Sequence, residues 1–191
     1  MKKTLLILAA CLMLGTAANA QNWTYGVKGG MNLAAITDDV DDAGGKMKFS
    51  FHLGAFAEYR FSDLFGIQPE FVYSRQGSYN KEGGLKEWMR FNYINIPVLA
   101  KLYIAEGFSV NLGPQFGILL NSKYKEKDGG STQKINIPGS KGLDVSFAMG
   151  LSYQLDYNWS INVRYNLGLT DVNKHFDGKN SVIQIGVGYR F

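Results

Sequence analysis

The chain has 191 residues, 46% of them hydrophobic and 14% aromatic, with 23 Gly and a single Cys. Its formal net charge is +4, half of it from Lys2 and Lys3, and no basic stripe runs along it, which argues against nucleic-acid binding. One cysteine excludes an internal disulfide, and the length suits one domain.

Lys2 and Lys3 precede an apolar run too short to cross a bilayer as a helix, and small residues follow up to Ala18-Asn19-Ala20. This layout predicts a secretory signal peptide over 1–20 and one exported domain over 21–191. Leu8-Ala9-Ala10-Cys11 has the form of a lipoprotein box, but cleavage there leaves the apolar Leu12-Met13-Leu14 on the exported chain. Cys11 therefore reads as part of the signal.

Eight segments then alternate apolar and polar residues, the period of a strand with two unlike faces. The first sets Trp23, Tyr25, Val27, Met31 and Leu33 against Lys28, Gly30 and Asn32. The second sets Phe49, Phe51, Leu53, Ala55, Ala57, Tyr59 and Phe61 against Ser50, His52, Gly54, Glu58 and Arg60, with Phe56 out of phase. The third sets Phe65, Ile67, Phe71 and Tyr73 against Gln68, Glu70, Ser74 and Gln76. In the fourth, Ile94 to Leu102 oppose Tyr93, Asn95 and Lys101; in the fifth, Phe108 to Ile118 oppose Ser109, Asn111, Gln115 and Asn121. The sixth opposes Leu143 to Tyr153 with Asp144, Ser146, Ser152 and Gln154, and the seventh Trp159 to Leu167 with Asn162, Arg164 and Asn166. The eighth opposes Ile183 to Phe191 with Gln184, Gly186, Gly188 and Arg190. Pro69, Pro97 and Pro114 each remove a ladder donor, so bulges or ends of pairing are expected there.

Tight turns at Ser62–Leu64, Ala105–Gly107 and Asp156–Asn158 alternate with long polar stretches at Thr37–Lys48, Gly77–Glu87, Ser122–Gly142 and Asp171–Asn180. The pattern predicts an all-β fold: an eight-stranded antiparallel up-and-down transmembrane β-barrel with short periplasmic turns, long extracellular loops and both termini in the periplasm. The polar face is rich in Gly, Ser and Asn, which suit a narrow lumen, and aromatics including Trp23, Phe61, Trp88, Tyr153 and Trp159 gather near strand ends as in interfacial girdles. The apolar face is therefore assigned to lipid. A closed ring is required, because an open sheet edge is not tolerated in hydrocarbon.

GVKGGMNLA from Gly26, GIQPEFVYSRQG from Gly66, YINIPVLAKLY from Tyr93, GPQFG from Gly113 and the ending GVGYRF together resemble the PorT-type outer-membrane β-barrel family of Bacteroidetes. The most specific element is Y-x-x-I-P-x-L-x-K at Tyr93–Lys101, and the resemblance spans nearly all of the exported chain. It implies an eight-stranded barrel and no single activity. Tyr189 and the final Phe191 are similar to a C-terminal signal read by the barrel-assembly machinery.

Little catalytic chemistry is visible. His52 and His175 are the only histidines, and no paired motif surrounds either. Asp38-Asp39-Val40-Asp41-Asp42 lacks the Gly and Glu spacing of a calcium loop, so no catalytic, cofactor or metal site is assigned. The informative residues are the charges of the polar face: Lys28, Glu58, Arg60, Glu70, Lys101, Asp144, Arg164 and Arg190. Buried charges require partners, so a cross-strand network is expected, with Lys28–Glu58 as a pair on neighbouring strands. The resulting expectation is a non-enzymatic monomer in outer-membrane lipid, a structural or interaction barrel with a filled lumen, whose loops meet extracellular or envelope proteins. The alternative is a narrow pore or a component of a secretion or transport complex.

Overall fold

The computed structural model describes residues 23–37, 46–82, 85–128, 131–175 and 177–191. The expected signal peptide and the Asp38–Asp42 run lie outside these residues. The described chain forms ten strands: β1 (Trp23–Thr37), β2 (Lys46–Arg60), β3 (Phe65–Gln76), β4 (Ser78–Glu82), β5 (Leu85–Ala105), β6 (Phe108–Asp128), β7 (Ser131–Asn136), β8 (Leu143–Gln154), β9 (Trp159–Asp171) and β10 (Lys179–Arg190).

Eight of them close an antiparallel ring in the order β1-β2-β3-β5-β6-β8-β9-β10, sealed by β1 against β10. The register fixes its shape. Stepping from Trp23 through the paired residues Tyr59, Ile67, Ala100, Leu112, Met149, Tyr165 and Ile183 returns to β1 at Leu33, ten residues further along. A stagger of ten residues over eight strands tilts the strands by roughly 40° from the barrel axis, given a rise of about 3.3 Å per residue and a spacing of about 4.8 Å between strands.

The two faces sort as the alternation requires. Met31, Phe49, Leu53, Phe71, Ile118 and Ile185 are exposed, whereas Asn32, Ser74, Gln115 and Asn166 are buried inside the ring. An exterior more apolar than the interior is the arrangement of a barrel solvated by lipid. Aromatic contacts crowd the short-turn end: Trp23 with Tyr59, Tyr59 with Phe61, Phe108 with Tyr153, and Trp159 with Tyr189. Trp88 stands three residues inside the start of β5, at the opposite end, paired with Tyr79 of β4.

Several local expectations are corrected. Two of the stretches expected as loops contain strands: β4 pairs with the start of β5, and β7 pairs with the end of β6, so both hairpins continue the sheet beyond the ring. The prolines introduce no register shift. Pairing is interrupted between Pro69/Val98 and Val72/Asn95, and again between Pro97/Gln115 and Ala100/Leu112, with the same register on each side, while Pro114 stays paired with Phe147. A bulge lies elsewhere: Asn92 pairs with Asn121 but Tyr93 with Leu119, so Leu120 is the extra residue. That residue reverses the phase of β6. Asn121, expected in the lumen, therefore stands opposite Asn92 on the outward face, accepting its amide at 2.7 Å. Phe56, the exception to alternation, does face inward. Its ring occupies the space above Gly26 and Gly188, where a methyl on Gly26 would stand 2.3 Å from the ring.

Candidate functional site: a lumen filled in layers

Inward residues gather into layers along the barrel axis. At the short-turn end, Glu58 is the centre of one cluster. Its carboxylate accepts Lys101 Nζ at 2.6 Å, the Tyr103 hydroxyl at 2.5 Å and Arg190 Nη2 at 3.4 and 3.5 Å. The next layer is built on Glu70, whose side chain is fully buried. Arg164 donates to it with two nitrogens at 2.7 Å each, Lys28 with one at 3.1 and 3.2 Å, and Gln68 at 2.7 Å. Gln68 joins the layers, because its Oε1 accepts Lys101 at 3.3 Å. Each carboxylate thus holds two cations, and the multiple charge-assisted bonds offset the large cost of desolvating them.

Above these lies a neutral layer. His52 Nδ1 lies 2.7 Å from Asn32 Oδ1, which also accepts the Gln184 amide at 3.2 Å. The Asn32 amide donates to Ser74 Oγ at 3.1 Å and to the Arg75 carbonyl at 2.9 Å. At the hairpin end the lumen turns apolar. Phe91, Tyr93 and Val172 are buried together, with Ile36, Met89, Leu119 and Ile137 packed against them. Asp144 accepts the Asn180 amide here at 2.8 Å.

The voids match this filling. A cavity of about 20 Å³ lies among Lys28, Phe56, Gln68, Lys101 and Arg164, about the room of one water molecule. A vestibule of about 460 Å³ lies at the short-turn end, lined by Glu58, Arg60, Tyr103, Gln154 and Arg190.

The profile of the outer membrane protein beta-barrel domain matches residues 19–174. The chain belongs to this family. As a member it is an outer-membrane β-barrel, and solved barrels share its fold. Ail, the attachment invasion locus protein of Yersinia pestis, is 20% identical with a TM-score of 0.54, over 90% of this chain and 100% of that one. Ail has also been solved with the heparin analogue sucrose octasulfate, at 21% identity, the same TM-score and the same coverage. Neisserial surface protein A is 15% identical with a TM-score of 0.57, over 87% of this chain and 97% of that one. No curated protein matches the chain in sequence.

Within this outer-membrane barrel the expected lumen charges divide. Lys28, Glu70 and Arg164 meet, and so do Glu58, Lys101 and Arg190. The expected Lys28–Glu58 pair does not form. Lys28 pairs in register with Gly54 and Glu58 with Thr24, so the two are offset by four residues, about 13 Å along the strands. Lys28 instead reaches past Gly54, which has no side chain to block it, to Glu70 of β3. Arg60 lies outside the network, at the mouth. It donates to the carbonyls of Ser62 and Asp63 and covers the Tyr103 ring at 4.1 Å. Asp144 also stands apart, held by Asn180 rather than by a cation. Sequence put Gln68 and Tyr93 on the polar face but gave no role to them, and it did not pick out Tyr103, Phe91 or Val172. Aromatic Phe91 and Tyr93 on the polar phase were the available signal. His175 lies beside Gly139, whose φ of +75° turns the chain beneath it, and its amide donates to Asn173 at 2.8 Å. Tyr189 packs on Trp159 and Phe191, and the Phe191 amide donates to Tyr25 at 3.0 Å.

Proposed function

We propose that this outer-membrane protein is a sealed barrel that works as a structural and interaction element rather than as a pore or an enzyme. The signal peptide is 1–20, the barrel 21–191, and the protein a monomer with its short turns and termini in the periplasm. The single observation that carries the reading is the double closure of the lumen, by ion clusters at two levels and by the Phe91–Tyr93–Val172 cap. Ions crossing it would have to displace buried, mutually bonded charges and then an apolar layer, each costly. His52 contacts an asparagine amide rather than a carboxylate or nucleophile, which supports a structural role. Planar-bilayer recording of refolded protein is expected to show no stable conductance; reproducible unit steps would overturn the sealed-barrel reading.

The PorT-type resemblance adds a second reading, membership of an envelope secretion complex. One observation favours it: among the described residues β7 ends the sheet order and pairs only with β6, which leaves its far edge for a partner strand. Crosslinked pull-down from native envelopes tests this, with recovery of the barrel alone counting against it.

A further inference from the structure

The hairpin end sorts its charges by face. On β5 and β6, Lys86 pairs with Lys127, Trp88 with Lys125 and Arg90 with Lys123. Paired residues point the same way, and on β5 these even-numbered positions continue the outward face of Ile94 and Ile96. Arg75 of β3 is on that face too, its guanidinium 5.7 Å from the outward Phe51 ring. The carboxylates take the other side. Glu87 pairs with Glu126, and the Tyr124 hydroxyl donates to Glu87 with Glu126 3.3 Å away. The outward face therefore carries six cations, Arg75, Lys86, Arg90, Lys123, Lys125 and Lys127, with no carboxylate among the described residues upon it.

Like charges placed opposite each other in a sheet destabilise it. Among the described residues no ion pair relieves these six; Lys125 has only the Trp88 ring, at 5.0 Å. A counter-charge must then come from outside the described residues. The position says from where. The face is continuous with the lipid-facing band, immediately beyond exposed Phe49, Ile118 and Leu120, and Tyr79 and Trp88 lie on it in contact. A flat basic sheet with aromatics, held upright at the edge of the hydrocarbon layer, matches anionic headgroups.

We propose that this face binds the phosphates of glycolipid headgroups in the leaflet on the hairpin side of the membrane. The inference rests on the orientation proposed above, which puts that leaflet outside. Each headgroup phosphate accepts hydrogen bonds from two or more of the six cations. The bound lipid then relieves their repulsion and fixes the height of the barrel in the bilayer.

The test is native mass spectrometry of full-length refolded barrel in neutral detergent, titrated with a bis-phosphorylated glucosamine lipid or with the same lipid dephosphorylated. The expected result is retention of the phosphorylated lipid only. A variant with Lys86→Gln, Lys123→Gln and Lys127→Gln should bind it roughly 100-fold more weakly, since one charge at an anionic surface is worth about fivefold. Heat-modifiable gel migration verifies that the variant is folded, and Lys123→Arg is expected to bind like the parent. Equal binding of both lipids, or unchanged binding by the triple variant, overturns the proposal. So does binding of soluble sucrose octasulfate, but not of the phosphorylated lipid, since a free glycan would then be the occupant. Labelling of a Gly142→Cys variant on intact cells reads orientation separately. Lipid binding in detergent with no surface labelling would reject the orientation and leave the chemistry of the face standing.

Discussion

Glu70→Gln is the sharpest perturbation of the lumen. The substitution keeps the size of the side chain and removes its charge. Lys28 and Arg164, both buried, then face an amide that can accept from one of them but must turn its NH₂ group toward the other. Breaking a buried ion pair by removing one partner costs about 3–5 kcal/mol, because the remaining charge is left buried and uncompensated. Two cations are stranded here, so the upper end of that range is expected. With a urea slope of about 2 kcal/mol per M for a small protein, the unfolding midpoint falls by roughly 2 M. The assay is equilibrium urea unfolding in lipid vesicles, followed by tryptophan fluorescence and heat-modifiable migration. Single removal of a cation should cost less, and Lys28→Met less than Arg164→Met, because Arg164 makes the two shorter bonds at 2.7 Å. The control is the triple replacement Lys28→Met, Glu70→Leu, Arg164→Met. If uncompensated charge is the cause, the apolar triple recovers most of the loss. A midpoint shift under about 0.5 M for Glu70→Gln, or a triple variant no better than the single, refutes charge compensation as the source of stability.

Other substitutions probe other layers. Gly113→Ala places a methyl 2.1 Å from the Val98 carbonyl and should cost about 1–3 kcal/mol, whereas Gly142→Ala, with nothing within 4 Å, should leave the urea midpoint unchanged. Phe91→Ala empties the cap and should cost about 3–5 kcal/mol, yet bilayer recording should still show no steps because the ion clusters remain. Lys141 donates to Asp171, the last residue of β9, at 2.9 Å and holds that carboxyl below the usual carboxylate range. Its contribution is therefore present above the unfolded carboxylate pKa and lost as pH falls through the folded value; NMR titration should show the Asp171 midpoint rising in Lys141→Gln. Gln68→Leu should shrink the coupling in a double-mutant cycle between Glu58→Gln and Glu70→Gln, measured by urea unfolding.

What the sequence revealed was the part governed by period two. Leu53, Phe71 and Ile185 on one phase, with His52, Glu70 and Gln184 on the other, placed the faces before any pairing was known. The expected lumen charges follow that phase, but Arg60 stands at the mouth, Asp144 is buried against Asn180 rather than a cation, and the buried Lys48, which donates to the Gln76 and Met89 carbonyls, is not among them. Their pairing was not legible, because it depends on stagger. Lys28, Glu70 and Arg164 come from β1, β3 and β9, which meet only once the ring has closed with its ten-residue shift. The phase error at Asn121 has a local cause, the single extra residue Leu120. Lys, Glu and Gly in the long polar stretches read as loops, yet a growing sheet offers them a ladder. Edge pairing with β5 and β6 overrides their weak strand preference.

The repeated composition of the two ion clusters bears on how the proposed sealed lumen stays closed. Each has one carboxylate and two cations, Glu70 with Lys28 and Arg164, and Glu58 with Lys101 and Arg190. Each therefore leaves one surplus positive charge, and Gln68 sits between them with its amide nitrogen toward one carboxylate and its oxygen toward the cation of the other. A neutral linker serves better there than a third carboxylate. An anion at Gln68 would lie against Glu70, whose oxygen is 2.7 Å from the Gln68 nitrogen. The surplus charge repels any cation entering the vestibule, while the fixed carboxylates already occupy the sites an anion would seek. Filling by volume alone would leave such a lumen open to whichever ion fitted a transient gap. In the proposed sealed barrel, filling by paired charge closes the lumen to both signs, and the apolar cap beyond adds a barrier that does not depend on charge at all.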